Sequence, residues 1–363
     1  MGCFERTYAR PYCAWSPQLR EYCVNKIVMR SNWTKRGIVA ALAASAILAG
    51  GFSYRSFRQN AAAQASPGSE LLSALPWGAP TLVYVDLTAV RASSFYQHRP
   101  DKGPIALPNE EYAEFVRSTG FDFEKDLDRV VVASWPASGN ELRKNIVIAE
   151  GRFDRAKIRS YAMREGKLDH QQGHEVFVFP AGARTGSNSL TFLDDQHIAM
   201  VDRPSIAPAF AGHSQDSAPD PARERAARLD GAAAFAVTRV PPLPDQFAQG
   251  GAQSAQLANL ARSIQWVTLA ARPEGDNLRI LLEGECDSGS DALQLKSALE
   301  LLRMFGRAGL ETPKTRQSMD PAALAMLQSL LTSAEVTQAA ERVRIRVELT
   351  PDIFKLGETR KPE

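Results

Sequence analysis

The sequence predicts an α+β fold: two similar repeats, each an antiparallel sheet with helices packed on one face, behind one N-terminal transmembrane helix. Three observations carry that expectation. Residues 37–54 form one uncharged apolar run. Beyond residue 70, segments with strand period alternate with segments of helix period. The order of those segments occurs twice. Composition agrees: 363 residues, 44% apolar and 23% charged, suit an ordinary globular chain of about two domains. The same figures exclude a disordered, collagen-like or polytopic membrane protein, and four cysteines exclude a disulfide scaffold.

Residues 1–36 read as a basic cytoplasmic tail. They hold seven basic and two acidic side chains, a balance of +5, and Arg55 and Arg58 add +2. The whole chain is only +2, which leaves residues 59–363 at −5. An acidic body of that size argues against nucleic acid as a partner. Met29 opens a second compact start, a short basic stretch followed by the apolar run, so translation from Met29 is an alternative origin. Cys3, Cys13 and Cys23 precede it, ten residues apart, a spacing that matches no familiar zinc site.

Gly37–Tyr54 (GIVAALAASAILAGGFSY) has no charge in 18 residues. As a helix it extends about 27 Å, enough for the hydrocarbon core of a bilayer. Backbone polar groups in lipid must pair within the segment, which selects a helix. Lys35 and Arg36 abut its start, so the positive-inside rule keeps the N-terminus cytoplasmic and sends residues 55–363 into the periplasm. The predicted location is the inner membrane, with the lipid bilayer as partner of residues 37–54. A buried soluble helix and a cleaved signal peptide compete with this reading. Ala63-Gln64-Ala65 has the small-residue cleavage pattern, but it lies well past the run, with Arg55 and Arg58 between. Residues 34–39 are a loose variant of a twin-arginine signal that lacks the second arginine. Ala40/Ala44 and Ala46/Gly50 have spacings that would let two anchors pack closely, as an Ala-rich segment does by chance.

Residues 55–70 read as a flexible tether: small, polar and aperiodic. The first repeat, 71–202, follows. Its predicted elements are a strand at Thr81–Asp86, a helix near Asn109–Ser118, strands at Arg129–Trp135 and Arg143–Gly151, and a helix capped by Asp154. Short strands at Glu175–Phe179, Ser189–Leu193 and Gln196–Val201 complete it, with Asp194-Asp195 as a hairpin tip. Residues 203–231 read as an Ala/Pro-rich linker, with a short helix at Asp220-Pro221.

The second repeat, 232–356, has a strand at Ala233–Arg239, a helix near Ser254–Ser263, strands at Gln265–Arg272 and Asn277–Gly284, and a long helix with Ser290 as cap. Leu293 to Phe305 gives that helix a wide apolar face, and Asp320-Pro321 opens another through Leu331. A hairpin follows, Glu335–Gln338 and Arg342–Leu349, where Val343, Ile345, Val347 and Leu349 alternate with charged residues. That is a strand with one buried face and one in water. Residues 357–363 are a tail. Local strings also match between the copies: Glu150-Gly151 closes a strand in one, Glu283-Gly284 in the other.

Residues 75–93, 110–132, 149–158 and 278–288 together resemble a family of bacterial membrane-anchored proteins without established activity. The resemblance implies a basic N-terminus, one apolar segment and a duplicated α+β region. It implies no cofactor and no site residue.

Chemistry-bearing patterns are sparse. The sequence has no phosphate-cradling P-loop, no GxGxxG after a strand and no GxSxG elbow. His170 and His174, four apart, would meet on a helix, but Gly173 and the strand after it place them at a turn, where the spacing has no metal-binding geometry. His98, His197 and His213 are scattered. Asp194/Asp195 and Glu110/Glu111 read as solvated pairs, the second also suiting a helix start. Asp86 reads as a turn or cap, and Cys286 as a small buried apolar group. No catalytic residue, metal ligand or cofactor is predicted. The function expected is a non-enzymatic envelope module that binds or assembles another envelope protein. An envelope hydrolase whose residues meet only in space is the alternative, as is a carrier of lipid or another hydrophobic ligand.

Overall fold

The computed structural model describes residues 67–98, 110–137, 144–180, 187–209, 220–241 and 260–354. The predicted tail, the apolar run 37–54 and the three N-terminal cysteines lie outside the described residues, as does His213. Among the described residues, no helix is long and apolar enough to cross a membrane.

The fold is α+β, built on one antiparallel sheet. Its strands are β1 (Thr81–Asp86), β2 (Leu127–Trp135), β3 (Lys144–Gly151), β4 (Lys167–Gln171), β5 (His174–Pro180), β6 (Ser187–Phe192), β7 (His197–Val201), β8 (Ala234–Arg239), β9 (Ile264–Glu274), β10 (Asn277–Cys286), β11 (Glu335–Ala339) and β12 (Arg342–Leu349). They lie in the order β11-β12-β10-β9-β8-β1-β2-β3-β7-β6-β5-β4. The two predicted repeats therefore share a sheet, joined where β1 pairs with β8 and Val83 stands opposite Ala236.

The central strands are rich in β-branched residues, and in β3 four consecutive residues, Ile146 to Ala149, are all buried. A strand buried at every position is covered on both faces. Helices do so here, which corrects the expectation that they share one face. On the first face lie α2 (Leu87–Arg91), α3 (Ser94–Gln97), α4 (Glu110–Thr119), α5 (Phe123–Asp126) and α6 (Arg155–Glu165), around a core of Val90, Phe95, Phe121, Val130, Val147 and Ile158. On the second lie α1 (Pro67–Ala74) and α7 (Pro221–Ala227), around Leu75, Leu82, Val131, Ile148, Ile206 and Ala226.

Two boundaries shift accordingly. Helix α1 begins at Pro67, inside the predicted tether, because Leu71 and Leu75 bury against the second core. The predicted linker is also core: Ile206, Ala222, Ala226 and Leu229 are buried in it. Small alanines let α7 pack close to the sheet, and the same residues look like linker composition in sequence.

Caps set most helix starts. Asp86 ends β1 and accepts from the Ala89 amide, opening α2. Asp154 and Asp220 cap α6 and α7 as predicted. The long helix α8 (Gly289–Glu311) is capped by Ser288 rather than Ser290, since the Ser288 hydroxyl accepts from the Asp291 amide. It is followed by α9 (Pro313–Ser318) and α10 (Pro321–Ser333), which starts where the Ala323 amide reaches Asp320. Of the predicted helix Ser254–Ser263, only its last residues are described.

Candidate functional site

The residues with chemical potential do not converge. His170 lies opposite Glu175, and Gln171 opposite His174, in the β4–β5 hairpin. Alternation along a strand then puts the two histidines on opposite faces of the hairpin, where they cannot share a metal. His98 sits at the surface, its Nδ1 2.7 Å from the Ser94 carbonyl and 3.8 Å from Asp276. His197 Nδ1 lies 2.8 Å from Asp194, whose carboxylate also accepts from the Gln196 and His197 amides. Burial alone would raise the Asp194 carboxyl; these hydrogen bonds outweigh it and hold it below its ordinary value. Asp195 points into solvent and pairs with Arg155 at 2.6 Å. The side chains of Glu110 and Glu111 lie outside the description.

Cys286 is buried at the end of β10 with Ala292, Leu295 and Val343, and burial pushes its thiol up. That environment suppresses the thiolate, the nucleophilic form. Asp86 faces Arg129, which also holds Glu150 at 2.9 Å, while Tyr84 donates to Asp86 at 3.4 Å. Burial, then the Asp86 charge, pushes the Tyr84 hydroxyl well above its usual range. The row is a cross-strand ion-pair ladder over the second core. Among the described residues no group of three or more His, Cys, Asp or Glu could hold a metal ion.

The C-terminal end of the sheet differs on its two faces. On one, the arginines of β12 alternate with its apolar residues and find acids on the neighbouring strands. Arg344 reaches Glu283 at 2.5 Å, Arg346 pairs with Glu335, and Arg225 pairs with Glu285 while lying 4.3 Å over the Trp266 ring. Arg344, Arg346 and Arg225 are each answered by an anion, so this part of the face is close to self-neutralising and leaves little field for a charged ligand.

The other face carries α8 and α10, and there the apolar surface is incompletely covered. Ala292, Leu295 and Leu299 turn α8 toward the sheet, and Gly306 lies against Leu331 of α10. Almost opposite on the helix run Leu293, Leu301 and Met304, with Leu302 and Phe305 beside them, each 51–64% exposed. A helix apolar on more than one side is ordinarily buried all round. Leu269 and Leu282, cross-strand partners in β9 and β10, add to the open apolar surface at 37% each. The sequence shows the wide apolar face from Leu293 to Phe305 but not that much of it is left uncovered. The available signal is that its apolar positions exceed one helical stripe. This surface is the candidate site.

No protein-family model matches the chain, and no curated protein matches it. Among solved structures it is similar to crystal forms of TP0453. Crystal form III gives a TM-score of 0.42 at 8% identity, over 79% of this chain and 97% of that one. Crystal form I gives 0.39 at 10% identity, over 79% and 96%, and crystal form IV gives 0.39 at 10%, over 78% and 95%.

Proposed function

We propose that this chain is a single-pass, inner-membrane protein whose C-terminal region is a non-enzymatic binding or assembly module facing the periplasm. The observation that carries the binding role is the open apolar side of α8. About five large side chains half or more exposed on one helix are costly to leave in water, and a partner surface removes that cost. The anchoring half rests on the apolar run 37–54 and the basic excess before it.

The module reads as an internal duplication. From its centre outward the sheet runs β1-β2-β3-β7-β6 in one direction and β8-β9-β10-β12-β11 in the other. In each half, three strands are followed by helix, one in the first half and three in the second, and later by a hairpin whose last strand pairs with the third. This order supports two copies related by a local two-fold between β1 and β8, with β4 and β5 as an extra hairpin in the first.

Membrane fractionation tests the reading. The full chain should stay in the pellet after alkaline carbonate washing and be released by detergent. Full-length protein in the carbonate supernatant would overturn it.

A further inference from the structure

We infer that the uncovered side of α8 rests on an anionic lipid surface, the outer leaflet of the membrane that holds the anchor. The inference depends on the anchored reading above and adds to it a second, peripheral contact with the bilayer.

Three features select this occupant. The first is the helix itself. Leu293, Leu301 and Met304 recur at i, i+8 and i+11 on one side, with Phe305 on the flank. Lys296, Arg303 and Arg307, at i, i+7 and i+11, border the other edge, where Lys296 pairs with Glu300, Arg303 donates to the Ala334 carbonyl and Arg307 is exposed. An apolar side bordered by basic residues is the pattern of a helix lying in the plane of a membrane interface.

The second is charge. Helices α8 and α9 (residues 289–318) carry five basic and three acidic side chains, a balance of +2, inside a body that is −5 over residues 59–363. Arg307, Lys314 and Arg316 are exposed and have no ion-pair partner among the described residues. The net positive surface therefore coincides with the apolar one. Anionic headgroups match both parts of the surface.

The third is reach. From Tyr54, the end of the apolar run, to Pro67, the start of α1, there are 13 residue steps. Even fully extended they span no more than about 45 Å. The module is thereby confined close to the bilayer, and a weak surface contact acts at high effective concentration.

The test uses the full chain reconstituted in vesicles, with its four cysteines replaced and a nitroxide placed at Phe305→Cys or, on the charged face, at Arg344→Cys. Vesicles are phosphatidylcholine alone or phosphatidylcholine with phosphatidylglycerol. In the anionic vesicles the label at 305 should collide more with oxygen than with a water-soluble nickel complex, and the label at 344 should do the reverse. Arg307→Glu with Lys314→Glu should return the label at 305 to water, each removed charge weakening the contact about fivefold. Equal nickel access at 305 and 344 overturns the inference, as does concentration-dependent coupling between labels, the sign of a second copy. A chain that floats with vesicles while residue 305 stays in water refutes the inference alone. A chain that fails to float refutes the anchoring reading and the inference with it.

Discussion

Asp220→Ala should be one of the more damaging single substitutions outside the sheet. The Asp220 side chain is 1% exposed and has three roles. It caps α7 by accepting from the Ala222 and Arg223 amides at 3.0 and 3.3 Å. It accepts from the Gly78 amide at 3.1 Å, tying the segment before β1 to the segment before β8. It also pairs with Arg223 Nε at 3.2 Å, beneath which Trp77 stacks. Losing the cap costs about 1 kcal/mol. Stranding the Gly78 amide adds about 1 kcal/mol. Arg223, whose burial lowers its affinity for its proton, keeps bonds to the Leu72 and Leu75 carbonyls but loses its counter-ion, adding about 1–2 kcal/mol. The total is about 3–4 kcal/mol, and at about 2–4 °C per kcal/mol for a domain this size the midpoint should fall about 6–16 °C. The assay is thermal unfolding of the full chain in detergent, followed by near-ultraviolet circular dichroism. Asp195→Ala, at the exposed β6–β7 turn, is the control and should leave the midpoint unchanged. A fall of less than about 2 °C for Asp220→Ala would refute the claim that residues 220–229 belong to the core.

Gly151, at the end of β3, and Gly284, near the end of β10, should respond differently. A Cβ on Gly151 would lie 2.3 Å from the Asp126 carbonyl oxygen, a backbone atom that cannot step aside, so Gly151→Ala should cost about 2–4 kcal/mol. On Gly284 the nearest atoms, from Ile264 and Leu295, are 3.7 Å away, so Gly284→Ala should change stability by less than about 1 kcal/mol in urea denaturation. Equal losses would contradict this. Cys286 should resist a thiol reagent in the folded protein and react on unfolding, as read by peptide mass spectrometry; fast native labelling would show its pocket to be open. Asp194 is held below its ordinary value, so its contribution is complete above about pH 4 and is lost as pH falls through the folded value. Asp194→Asn should therefore lower the midpoint slightly at pH 6, by under about 1 kcal/mol for a carboxylate this exposed. The difference should shrink by pH 3, and one that widens on acidification would reverse the assignment.

Much of the fold was legible because its signals are local. Alternation in Arg342–Leu349 located a half-buried strand, and Asp154, Asp220-Pro221 and Asp320-Pro321 located helix starts. The departures come from tertiary packing. Helices α2, α3 and α5 have four or five residues each, too few for a periodic signal, and their caps at Asp86, Ser93 and Asp122 pass for turn residues. Coverage of both faces was present in the unbroken apolar run Ile146–Ala149, a pattern that a single sheet face does not explain. The alanines of α7 reveal their burial only beside the sheet they touch. The candidate surface was half legible: the apolar residues of α8 stand in the sequence, but which side meets the sheet depends on Leu295, Leu299 and Gly306 finding partners far along the chain.

The location of the module is tested most directly by adding protease to spheroplasts and, separately, to intact cells. Residues beyond the apolar run should be digested in spheroplasts and spared in intact cells, while a short N-terminal fragment stays with the membrane. Survival of the whole chain in spheroplasts, followed by digestion only after lysis, would place the sheet in the cytoplasm and contradict the account.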